Sequence, residues 1–181
     1  MGNIVDDIRA NEDTFADRPF NEVDSLALAQ LSYARMPVNV PRLDAEATDV
    51  DLAMVSVRDL LRAECYDDMF GKVWSPSMNV DLLRAMCESP RWRDLRVGGY
   101  VDEFDPETTK QFSACVFDVG DGSSYVAFRG TDSTIVGWKE DFAMAFRRPV
   151  AAQESAARYL ADIAGHRDGP LMVGGHSKGG N

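Results

Sequence analysis

Leu171-Met172-Val173 is a short apolar run that leads into Gly174-Gly175-His176-Ser177-Lys178-Gly179-Gly180. An apolar run that stops at glycines reads as a strand entering a tight turn. A serine with glycine two places before and two places after it, directly behind a strand, has the Gly-x-Ser-x-Gly pattern of a nucleophile elbow. The reason is steric: the turn forces the serine into a strained backbone conformation, and the flanking places have no room for a side chain. Gly175 and Gly179 meet that demand. Upstream, Ala152, Ala156, Tyr159, Leu160 and Ile163 have the period of one helical face, and Ser123 to Phe128 reads as a strand. Strand, helix, strand in that order predicts a right-handed parallel crossover and an α/β fold.

The rest of the chain divides into a helical half and a sheet-forming half. Residues 1–20 are polar and unpatterned, which suggests a surface or disordered arm. From Asn21, a candidate N-cap, Val23, Leu26, Ala27, Leu31 and Ala34 follow at helical spacing, and Thr48 to Ala63 and Asn79 to Cys87 read as further helices. From Leu95 the period shifts to two over Val97 to Phe104, Gln111 to Asp118 and Ser123 to Phe128, with Gly120-Asp121-Gly122 turning the last pair into a hairpin. Residues 21–181 therefore form a single incomplete domain, helical over 21–94 and sheet-forming over 95–181. A further helix carries Trp138, Phe142 and Phe146, with Trp138 expected in the core or a pocket wall.

Charge narrows the function classes. The formal net charge of -11 disfavours nucleic acid and anionic membrane surfaces as partners. The three cysteines, Cys65, Cys87 and Cys115, have neither zinc-site nor disulfide-framework spacing and suit a reducing cytoplasm. No stretch reads as a signal peptide or transmembrane span, and no metal or organic cofactor is implied.

The chemistry lies at the elbow. The turn would hold the Ser177 hydroxyl at the carboxyl end of the strand, with the Lys178 amide as one oxyanion donor. The bland alternative is a glycine-rich loop with an incidental serine. His176, next in the chain to Ser177, either acts as a base or packs beneath the sheet. Neighbouring elbow residues point different ways, which favours the packed role. His166 falls in the loop before the last strand and reads as a surface residue.

Phe128-Arg129-Gly130-Thr131-Asp132 follows the hairpin, and Gly137-Trp138-Lys139-Glu140-Asp141-Phe142 comes after it. With the elbow, these segments resemble the lipase class 3 branch of the α/β-hydrolases, closest to its bacterial members of undetermined substrate. The resemblance covers roughly Ser123 to Asn181. It implies a partial α/β-hydrolase fold with Ser177 as nucleophile. It also implies Thr131, through its amide alone or with its hydroxyl, as the second oxyanion donor, and Arg129 and Asp141 either paired or solvated. The implied reaction is hydrolysis of a small-molecule acyl ester through an acyl-enzyme. In such folds the acid and the histidine follow the nucleophile. None follows here, so the chain as given is expected to be inactive by itself. The rival expectation is a non-catalytic interaction module that keeps the elbow as architecture.

Overall fold

The computed structural model describes residues 2–44 and 52–181. Helix α1 (Ile4–Ala10) is capped by Asn3, and α2 (Glu22–Leu31) by Asn21, each through a reciprocal capping box with an aspartate three places on. Strand β1 (Met54–Ser56) follows, then short helix α3 (Tyr66–Phe70) and α4 (Pro76–Glu88). Strands β2 (Arg96–Asp105), β3 (Lys110–Asp118) and β4 (Ser124–Phe128) form an antiparallel meander. Helices α5 (Ile135–Ala143) and α6 (Ala151–His166) carry the chain to β5 (Leu171–Gly175), which ends in a 3-10 turn at Ser177–Gly180.

The five strands lie in the order β1-β2-β3-β4-β5. The first four are antiparallel, and β5 runs parallel to β4 with Val126 opposite Val173 and Phe128 opposite Gly175. This is the parallel pairing expected of a strand-helix-strand crossover, and the fold is α/β. Alternation along the strands sends Val97, Cys115, Phe117, Tyr125 and Ala127 into a core shared with α1, α2 and α4. Phe112, Ala114, Val116 and Val126 face the other way, onto Ala152, Tyr159 and Ile163 of α6.

Several elements differ from expectation. Residues 1–20 do not form a loose arm: α1 buries Val5 and Ile8. The loop behind it is organised by Arg91, whose guanidinium donates to the carbonyls of Thr14 and Arg18 at 2.9 Å and lies 4.0 Å from the Phe15 ring centroid. Arg91 also forms a buried ion pair with Asp24 at 2.5 Å.

The buried stripe of α2 is Asp24, Ala27, Leu28 and Leu31, while Val23 and Leu26 are exposed. The expected helix over Thr48 to Ala63 begins outside the described residues. Within them, Met54–Ser56 adds an edge strand to β2 and Val57–Leu60 is a 3-10 turn. A short apolar run carries no period that separates strand from helix, and the free edge of β2 decides the matter.

Candidate active site

Ser177 has φ +57°, in the left-handed region where a non-glycine residue is strained. The turn is built by backbone packing against the end of β4. A Cβ on Gly179 would collide with the Phe128 carbonyl oxygen, and one on Gly175 would lie 2.6 Å from the same atom. Both elbow glycines are therefore required by close approach. The loop after β4 sits equally tight, since a Cβ on Gly130 would lie 2.5 Å from the His176 carbonyl. The elbow and the Arg129–Asp132 loop thus touch through their main chains.

Gln111 at the start of β3 ties the two together. Its amide oxygen accepts from the Lys178 ammonium at 3.2 Å and, at 3.5 Å, from the Asp132 amide. Lys178 is the residue whose side chain sequence reasoning left without a partner. Its ammonium is buried and reaches the Gln111 carbonyl at 2.8 Å and the Glu140 carboxylate at 3.0 Å. Glu140, itself buried, accepts from the amides of Gln111 at 3.0 Å and Ala152 at 2.9 Å. One carboxylate therefore binds β3, α6 and the elbow to α5.

Thr131 donates its hydroxyl to Asp141 Oδ2 at 2.5 Å. That bond occupies the hydroxyl proton, so the amide is the donor Thr131 still has to offer. The amides of Thr131 and Lys178 have no acceptor among the described residues. The other Asp141 oxygen is buried with no partner among them.

Arg129 does not pair with Asp141. Its guanidinium donates to Asp102 at 2.7 Å. The register explains the choice: the Arg129 amide bonds the Ser113 carbonyl at 2.9 Å, and Ser113 stands opposite Asp102 on β2. Arg129 thus crosses the sheet, and the Asp141 carboxylate is left for Thr131.

His176 is exposed and so does not pack beneath the sheet as expected; its Nδ1 lies 2.9 Å from the Tyr33 hydroxyl. Burial pushes the Tyr33 phenol above its ordinary value, with Arg129 opposing and Asp141 adding to the shift, so it stays protonated and can donate. His166 Nδ1 lies 2.7 Å from the Asp162 carbonyl, and all of β5 separates this histidine from the elbow. These are both histidines of the sequence.

Trp138 lines no core: it is exposed on α5, as is Phe142, and Phe146 is exposed just beyond the helix. A cleft of about 670 Å³ opens between α6 and the elbow, walled by Phe128, Leu160, Val173 and Lys178. Ser177 is not one of its walls, so the cleft is not assigned to the reacting part of a substrate.

Sequence reasoning missed Gln111, Glu140, Asp102 and Tyr33. Gln111, Asp102 and Tyr33 belong to no local motif, Glu140 lies in the 137–142 segment without a role read from it, and each reaches the site through strand register or helix packing. An acid in the middle of an otherwise apolar helix face was the available hint for Glu140.

The sheet and its helices define an α/β protein whose only parallel pair, among the described strands, leads to a strained serine turn. The sequence model of the Mbeg1-like family matches residues 86–181, and the chain belongs to that family. No curated protein and no solved structure matches the chain. The family match overturns the resemblance to the lipase class 3 branch: the stretch carrying those motifs falls within the Mbeg1-like match, and no α/β-hydrolase or lipase family model matches it. Short glycine motifs follow from turn sterics, which unrelated chains share, so they mark a local geometry and not a lineage. No helix among the described residues is long and apolar enough to cross a membrane.

Proposed function

We propose that this chain carries the nucleophile and the oxyanion donors of a serine hydrolase acting on a carboxylic ester. In this reading the sheet is the nucleophile-bearing part of a hydrolase-type fold. The carrying observation is the φ of +57° at Ser177, on a turn pressed against the loop that bears Thr131. Strain at one non-glycine residue persists only where the surroundings over-determine it, and such places cluster at functional sites.

Attack by the Ser177 oxygen on the ester carbonyl forms a tetrahedral intermediate. Its oxyanion takes hydrogen bonds from the Thr131 and Lys178 amides. Collapse expels the alcohol and leaves an acyl-enzyme, which water then hydrolyses. Asp141 holds Thr131 through the hydroxyl bond, while Glu140 and Gln111 hold Lys178. These groups keep both amides in place without taking part in proton transfer.

The base is the open element. With His176 Nδ1 at the Tyr33 hydroxyl and His166 beyond β5, no hydrogen bond among the described residues joins either imidazole to the Ser177 hydroxyl, so slow acylation is expected of this chain. The same observation favours the second reading, an interaction module that keeps the turn and not the catalysis. A fluorophosphonate probe discriminates. Slow modification confined to Ser177, lost in Ser177→Ala, supports the hydrolase reading. Labelling no greater than that of Ser177→Ala supports the module, and rapid labelling at neutral pH refutes the expectation of a missing base.

A further inference from the structure

Helix α5 presents an apolar row to solvent. Ile135, Trp138 and Phe142 follow at helical spacing and are 73%, 57% and 72% exposed, and Phe146 just beyond the helix is 76% exposed. The Phe142 and Phe146 rings lie 5.4 Å apart, so they form one patch. Exposures this high mark side chains that project as a ridge. A ridge does not enclose a peptide helix as a groove would.

Cations border the ridge. Lys139 lies within the row, and Arg147 and Arg148 follow Phe146, all three exposed. None of them has a carboxylate partner among the described residues. The two acids of α5 do not offset them: Glu140 is buried against Lys178, and Asp141 binds Thr131. Arg147 and Arg148 wall a cleft of about 690 Å³ together with Lys139, Thr108 and Thr109.

We propose that α5 and the segment through Arg148 form a docking element for an anionic phospholipid surface. The aromatic ridge enters the headgroup boundary, and Lys139, Arg147 and Arg148 contact lipid phosphates. Aromatic residues with flanking cations on one helical face are the chemistry of an interfacial element. The net charge of -11 disfavours anionic membranes when summed over the whole molecule. That sum is global, whereas charges beyond about 8 Å are screened at physiological salt, so the local cations govern the contact. A second copy of the chain fits worse, because a two-fold interface sets the patch against itself and places like cations together. The inference does not depend on the chemistry of Ser177, and its test is independent of activity.

The experiment is flotation of the 181-residue chain with vesicles of phosphatidylcholine alone or mixed with phosphatidylglycerol, with tryptophan emission read in parallel. Binding to the mixed vesicles with a blue shift is expected, as is weak binding to phosphatidylcholine alone. The Lys139→Gln/Arg147→Gln/Arg148→Gln variant should bind roughly a hundredfold more weakly, from about fivefold for each cation. Phe142→Ser/Phe146→Ser should lose the binding while keeping the far-ultraviolet dichroism, since both rings are already in solvent. Trp138→Phe should abolish the emission shift and leave the protein bound. Equal binding to both vesicle types, no binding, or binding that survives either multiple variant overturns the proposal. Concentration-dependent self-association that disappears in Phe142→Ser/Phe146→Ser also overturns it, in favour of a second copy as occupant.

Discussion

Replacing Glu140 with glutamine would leave the Lys178 ammonium buried without its counter-charge. The two side chains are 2% and 5% exposed, so water cannot substitute for the lost carboxylate. Removing one partner of such a pair costs about 3 to 5 kcal/mol. Glutamine also has one acceptor oxygen where the carboxylate served the Gln111 amide, the Ala152 amide and the ammonium, and an unmet buried donor adds about 1 kcal/mol or more.

Against a whole-domain stability of roughly 5 to 15 kcal/mol, this single change removes about a quarter or more. Lys178→Met should cost about 1 to 2 kcal/mol less, because Glu140 then keeps two amide donors. The double variant Glu140→Gln/Lys178→Met should be more stable than Glu140→Gln alone, since neither side chain is then charged. Urea unfolding followed by circular dichroism measures all three, with an unchanged slope showing that the unfolded state is not altered. A Glu140→Gln loss under about 1 kcal/mol, or a double variant no better than the single, would refute the buried-pair argument.

Arg91→Ala should lose about 3 to 5 kcal/mol, because it strands Asp24 in the core, and limited proteolysis should then cut within residues 13–19. Gly179→Ala drives a methyl group into the Phe128 carbonyl, so Ser177-dependent fluorophosphonate labelling should fall to the Ser177→Ala level while the α6 core keeps its amide protection. Burial pushes the Cys115 thiol up to about 12 and the Cys87 thiol to about 11 from an ordinary 9.0. The folded state then holds protons that the unfolded state releases. Stability from these groups is intact below about pH 9 and is lost as pH rises through the folded values. Tyr33, Tyr100, Tyr125 and Tyr159, also raised by burial, act in the same direction. Urea midpoints should therefore fall from about pH 9 towards pH 11, and a Cys115→Ala variant with an undiminished fall would contradict the assignment to that thiol.

Local pattern was enough to read the α/β class, the capped start of α2, the α6 face and strands β2 to β5. Each of these rests on near-neighbour physics: a side chain that closes a helix end, a period that separates faces, or glycines where a turn admits no Cβ. The same physics located Ser177, Gly175 and Gly179. It could not reveal β1, whose few residues become a strand through the open edge of β2, nor α1, whose Val5 and Ile8 gain their meaning from α4. Arg129 meeting Asp102, Thr131 meeting Asp141, and Lys178 meeting Glu140 and Gln111 were decided by register and packing. Sequence order lists the charges available, but a buried charge is paired only after the sheet and helices have set which of them lie within 3 to 4 Å, and that is a property of the assembled tertiary structure.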